Sequence, residues 1–108
     1  MFTLADGGLQ SSVMGEYYVY ILASGRNGTL YVCMTNDLAK RVGRHKKGDA
    51  SEFTKEYGVK RLVYYEKYDS LEEALVREKQ MKAWKRQWKM RLVDHWNPEW
   101  KDLSEGFI

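Results

Sequence analysis

The sequence is poor in the residues that break or cross-link chains. It has one proline, Pro98, and one cysteine, Cys33. A lone cysteine excludes an internal disulfide, suits a reducing compartment, and leaves no Cys/His set with zinc spacing. One proline and no low-complexity run give no sign of a linker, and 108 residues suffice for one domain with little to spare. No internal repeat is present. Apolar stretches are short, and none approaches the roughly 18 residues of a membrane-spanning helix. Residues 1–15 lack the basic start and apolar segment of a signal peptide. These absences predict a cytoplasmic protein with no membrane partner. Gly7-Gly8 and Ser11-Ser12 predict a flexible tail over 1–15. One domain over 16–103 and a short C-terminal tail over 104–108 complete the expected division.

What is present is a hairpin signal. Glu16 to Ala23 and Thr29 to Thr35 are runs rich in β-branched and aromatic residues, and they flank Ser24-Gly25-Arg26-Asn27-Gly28. Asn-Gly tolerates the positive φ of a tight turn. With Asn27 and Gly28 as the two turn residues, Thr35 pairs opposite Tyr20. Tyr31 is then an even number of residues from Thr35, so Tyr20 and Tyr31 point to one face. Two phenols on one face read either as core packing or as a site.

Thr35-Asn36-Asp37 offers three N-cap residues ahead of a helix over Leu38 to Lys47, stopped by Gly48. Leu38 and Val42 share its buried side, and Arg41 and His45, also four apart, share a face. Asp49 to Lys60 reads as a polar connection. Arg61 to Tyr68 reads as a third strand. Ser70 and Glu73 form a capping-box pattern that opens a helix at Leu71. That helix carries Leu71, Ala74, Leu75 and Met81 toward a core. Glu78 lies within about 60° of the stripe, where a carboxylate needs a partner or a metal; Lys82, four residues on, is the ordinary candidate. A break near Trp84–Arg86 leads to a second helix that presents Trp88, Leu92 and Trp96 and ends before Pro98. Trp84 and Trp88, interleaved with lysines, read as core or as a surface that stacks on bases. Trp100 and Leu103 pack back onto the domain. The expected fold is α/β (α+β): a three-stranded, mainly antiparallel sheet flanked by helices.

Net charge is only +3, but the charge is gathered. Asn36 to Arg61 holds eight Lys/Arg and four Asp/Glu, and Val76 to Arg91 holds seven Lys/Arg against Glu78 alone. Two basic blocks create a field that attracts a polyanion, although solvated helix faces have the same composition.

In order and spacing, Tyr18-Val19-Tyr20, Leu30-Tyr31-Val32-Cys33, Arg41, His45 and Glu78 resemble the GIY-YIG nuclease domain. The resemblance covers Tyr17 to Leu103 and is to small members related to the N-terminal nuclease domain of the excinuclease C subunit. Asn36 to Arg41, Phe53-Thr54-Lys55, Leu62 to Glu66, Glu73 to Glu78 and Asn97 to Trp100 support it. It implies an endonuclease hydrolysing DNA phosphodiesters, in repair or recombination, with RNA a second choice. It implies a single divalent metal, Mg²⁺ or Mn²⁺, held by Glu78. Tyr20, Tyr31, Arg41, His45 and Glu78 take the places of the family's catalytic residues. One tyrosine activates water, with the choice between Tyr20 and Tyr31 open. A hard cation accepts one carboxylate, waters and substrate phosphate, and Arg41 offers a planar fork to phosphate oxygens. A tyrosine base has about 3 pKa units to lose to work at pH 7; a metal-bound water and Arg41 are the expected source of that shift. Lys46, Lys55, Lys82, Lys85, Arg86 and Lys89, with Arg41, are the expected DNA contacts. With no separate recognition domain, specificity falls to this fold, to DNA shape or to a protein partner.

Three positions depart from the motifs. Tyr18 and Val19 are mild changes in a strand. Cys33 stands where the second motif names glycine, which lets backbone approach a ligand. A cysteine there crowds the substrate, acts as a thiol or simply packs. A non-catalytic nucleic-acid-binding module on the same scaffold is the second reading.

Overall fold

The computed structural model describes residues 15–48 and 52–106. The expected tail over 1–15 lies almost wholly outside them. Three strands, β1 (Tyr17–Ala23), β2 (Leu30–Thr35) and β3 (Arg61–Tyr68), form one antiparallel sheet in the order β2-β1-β3. Four helices flank it: α1 (Leu38–Lys47), α2 (Glu52–Tyr57), α3 (Leu71–Ala83) and α4 (Arg86–Trp96). A 3-10 turn covers Leu103–Gly106. Among the described residues no helix is long and apolar enough to cross a membrane.

The hairpin forms, but its register differs from the two-residue turn. Tyr20 pairs with Cys33, and Thr35 with Tyr18. Ser24 closes the loop earlier: its N–H donates to Thr29 O at 3.0 Å and its Oγ accepts from Thr29 N–H at 2.9 Å. Inside that pair the Gly28 N–H donates to Gly25 O, and Asn27 takes the positive φ of 56°. A Cβ on Gly28 would collide with the Ser24 hydroxyl. The register moves by two residues, and the side-chain period is two. Tyr20 and Tyr31 therefore keep a common face.

The sheet is buried on both faces. On one, Tyr20, Leu22 and Leu62 pack against Leu38 and Val42 of α1 and against Val59. The other carries Val19, Ile21, Ala23, Val32 and Val63 under α3, α4 and Trp100. A bulge between Ile21 and Leu22 turns the adjacent Val63 and Tyr64 to this second face together.

Helix ends follow the sequence signals. Asp37 caps α1 by accepting from Lys40 N–H, and Gly48 ends it at φ 80°. Ser70 caps α3 by accepting from Glu73 N–H, and Ala83 ends α3 just ahead of the expected break. Three expectations fail. The connection before β3 is not all loop, because Glu52–Tyr57 is helical and buries Thr54. Leu71 and Leu75 are exposed; the inward stripe of α3 runs Ala74, Glu78, Met81. Trp88 and Trp96 are exposed too, because α4 turns Met90, Val93 and Asn97 inward. Asn97 satisfies its environment by donating to Val63 O and Lys101 O and accepting from Lys101 N–H. Trp100 and Leu103 pack onto the domain as expected, on opposite faces of the sheet.

Candidate active site

Tyr20, Tyr31, Arg41 and His45 converge on the α1 face. Tyr20 is on the central strand and Tyr31 on its neighbour, both pointing toward α1. Arg41 and His45 sit one turn apart on the helix that follows β2. His45 is the hub: it is 1% exposed, and its Nε2 lies 3.2 Å from the Tyr20 hydroxyl. Its Nδ1 lies 3.1 Å from Thr54 Oγ1 on α2. The Tyr31 ring meets the His45 ring edge-on at 5.4 Å and stacks on Phe53 at 5.9 Å. Arg41 Nη1 points at the Cys33 sulfur, 3.9 Å away.

The environment fixes charge states. Burial is the main reason that the Tyr20 phenol is pushed well above its ordinary pKa; Cys33 adds to the rise and Arg41 opposes it. Tyr20 thus holds its proton, opposite to the direction expected for a tyrosine base. Burial, with the cations of Arg41 and Arg44, lowers His45 to about 4. A neutral imidazole has one donor and one acceptor nitrogen. His45 can therefore join Tyr20 and Thr54 in one polar chain.

Glu78 stands apart from this group. It belongs to the helix that covers the other face, between Ala74 and Met81, and its side chain is 17% exposed. Its ion pair is with Lys82 at 3.0 Å, the ordinary partner four residues on. Arg77, on one side of the same stripe, reaches Glu66 of β3. Among the described residues no three His, Cys, Asp or Glu side chains form a metal cluster. The donor chemistry fits a hard cation that takes one carboxylate and fills its shell with water and substrate oxygens. Lys82 is half-exposed and on a flexible stem, so it can leave the carboxylate.

The expected DNA contacts divide. Lys46 is occupied, donating to Asp102 at 2.5 Å and to Lys60 O at 3.1 Å, which ties α1 to the C-terminal segment. Lys55 is exposed on α2, beside the Tyr31 group. Lys82, Lys85, Arg86 and Lys89 lie across the sheet, where Arg86 also donates to Asn27 O at 2.7 Å. The sequence reading gave no role to Thr54 and Phe53, which hold His45 and Tyr31. Their only signal was membership in a short matching string; a buried threonine nine residues from a histidine has no periodic signature.

Comparison with known proteins places the chain in a family. Residues 16–91 match the GIY-YIG catalytic domain, a nuclease family. The chain is 36% identical over 80 residues to a UPF0213 protein of Staphylococcus saprophyticus, covering 74% of this chain and 96% of that one. It is 38% identical over 80 residues to a UPF0213 protein of Staphylococcus aureus, with the same coverage. The solution NMR structure of the UPF0213 protein BH0048 from Bacillus halodurans superposes with a TM-score of 0.51. That pair shares 31% identity and covers 82% of this chain and 93% of the other. The chain belongs to the GIY-YIG catalytic domain family, among its small UPF0213 members.

Proposed function

We propose that this protein is a divalent-metal-dependent endonuclease that hydrolyses DNA phosphodiester bonds, with Arg41 at the reacting phosphate, Tyr20 and His45 as a buried proton relay behind it, and Glu78 as the metal ligand. The polar chain Tyr20–His45–Thr54 carries the reading. A buried phenol with a raised pKa cannot wait as a phenolate, so it needs somewhere to send its proton. His45 Nε2 is within reach. Water gives a proton to the Tyr20 oxygen as the Tyr20 proton passes to His45 Nε2. The resulting hydroxide attacks phosphorus, the bond to the leaving oxygen breaks, and that alkoxide takes a proton from solvent. His45 becomes an imidazolium whose Nδ1–H donates to Thr54 Oγ1.

A histidine at about 4 is a poor acceptor in the free protein, and the substrate corrects this. Arg41 and Arg44 help hold the value down. A phosphate anion against Arg41 offsets that cation and raises His45 when it is needed. Arg41 also stabilises charge that develops on the phosphate oxygens. The metal, Mg²⁺ or Mn²⁺, would supply further charge stabilisation at Glu78. Repair or recombination is the pathway class that suits such an enzyme, and the cytoplasm its compartment.

Cys33 is the observation that favours a non-catalytic DNA-binding module. Its sulfur occupies the motif glycine's place beside Arg41. Tyr20→Phe separates the two readings. It removes the relay oxygen and leaves the surface cations, so cleavage should fall at least a hundredfold while DNA affinity holds. A wild type that binds DNA and never cuts it, with either metal, supports the module.

A further inference from the structure

The start of α4 carries features that the candidate active site does not use, although Trp84 and Leu92 pack partly against the core. Trp88 leaves 52% of its surface in water, although the sheet beneath has an apolar face to cover. Its ring lies 6.3 Å from that of Trp84, at a tilt of 55°. With Leu92 and Arg91 the two indoles line an open concavity of about 350 Å³. Trp84 is held from behind. The Arg77 guanidinium sits 5.0 Å from its ring centroid, and Arg77 is fixed by two hydrogen bonds of 2.9 Å to Glu66. The concavity therefore has one braced aromatic wall and one open one.

Arg91 puts a cation on its lining, and the surrounding chain is basic. Trp84 to Arg91 contains Lys85, Arg86, Lys89 and Arg91 and no acidic residue. The arrangement works against helix stability. A helix start favours an acidic first turn and a capping side chain. α4 begins at Lys85 with no side-chain cap bond and no acid in its first turn. Lys89 is half-buried, and after burial itself the Arg86 charge is what lowers its pKa. An anion from outside would relieve this crowding, and the two indoles define what accompanies the anion. Flat aromatic faces beside phosphate-binding cations match a nucleotide strand whose bases are free to stack. Paired bases present no free faces to an indole.

We propose that the Trp84–Trp88 concavity binds unpaired bases of single-stranded DNA, with Lys85, Lys89 and Arg91 taking the adjoining phosphates. The site rests on the reading of this protein as DNA-acting, and not on cleavage. It lies on the face opposite Tyr20, on the helix pair that carries Glu78. Such a surface would favour junctions, flaps or gapped DNA over continuous duplex.

The test measures binding with chelator present, so that hydrolysis plays no part. Fluorescence anisotropy compares a labelled thymidine oligonucleotide of about twenty nucleotides with a blunt duplex of the same length, spanning several stacking sites. Trp88→Ala should weaken single-strand binding about tenfold, the loss of one stacked base. Duplex affinity should stay within twofold, and Trp88→Phe should recover most of the loss. Because chelator is present throughout, a failed cleavage experiment does not touch this one. A Trp88→Ala protein that binds the single strand within twofold of wild type overturns the proposal, as does equal loss on both DNAs. Conversion of a dimer to a monomer by Trp88→Ala, with DNA affinity intact, would assign the concavity to a second copy and overturn it too.

Discussion

The Tyr20 hydroxyl and His45 Nε2 stand 3.2 Å apart in the protein interior, joining the central strand to the first helix. Burial raises the phenol and lowers the imidazole, so both are neutral near pH 7. Paired neutral groups avoid the desolvation cost of a buried charge, and a proton can pass between them when substrate changes the local field.

The same pairing makes stability depend on pH. His45 titrates near 6.5 when unfolded and about 4 when folded. The unfolded chain therefore binds the extra proton first, and stability is full above pH 6.5 and falls as pH drops toward 4. The loss is on the order of 3 kcal/mol for this group. Toward the acid end of that window and below it, Glu66 and Asp102, both held below their ordinary range by hydrogen bonds and cations that outweigh burial, begin to contribute. Urea titrations from pH 8 to 4 should show the decline, and His45→Gln should flatten its upper part.

Thr54 is a positioning residue. Thr54→Val keeps the shape and removes the oxygen at His45 Nδ1. Leaving that buried nitrogen unpaired should cost about 1–3 kcal/mol of stability. In cleavage, kcat should fall with little change in KM, because DNA does not meet Thr54. Thr54→Ser should restore both, which simple loss of packing would not predict.

Cys33 should limit the enzyme. Cys33→Gly removes the sulfur from Arg41 and reopens the motif's backbone, so cleavage should rise severalfold. Iodoacetamide, which enlarges the thiol, should abolish cleavage in wild type and leave Cys33→Ala untouched. Unchanged cleavage after complete alkylation would show that the sulfur only packs.

The fold was legible because its signals are local. Asp37, Gly48 and Ser70 end helices by backbone chemistry that short strings encode. Strand alternation survived a misjudged turn because a two-residue shift preserves the face of Tyr20 and Tyr31. What failed was part of the inward face on α3 and α4: Ala74, Met81 and Leu92 pack inward as expected, but Leu71, Leu75, Trp88 and Trp96 are exposed. Leucine and tryptophan dominate any hydropathy count, yet the stripes that meet the sheet hold Ala74, Glu78 and Met81, then Met90, Val93 and Asn97. Tertiary packing sets the helix rotation, and its small and polar inward residues carry little weight in a sequence. The candidate site was legible as a set of residue types. Its hub was not, since His45 and Thr54 meet only once α2 folds over α1.

The most direct measurement is cleavage of single-stranded, duplex and branched DNA with Mg²⁺ or Mn²⁺ and with chelator, using wild type beside Glu78→Ala. The account predicts metal-dependent cutting by wild type, no cutting with chelator, and at least a hundredfold loss in Glu78→Ala with DNA binding retained. Cutting that survives in Glu78→Ala, or that ignores the chelator, would contradict the assignment of the metal and with it the proposed mechanism.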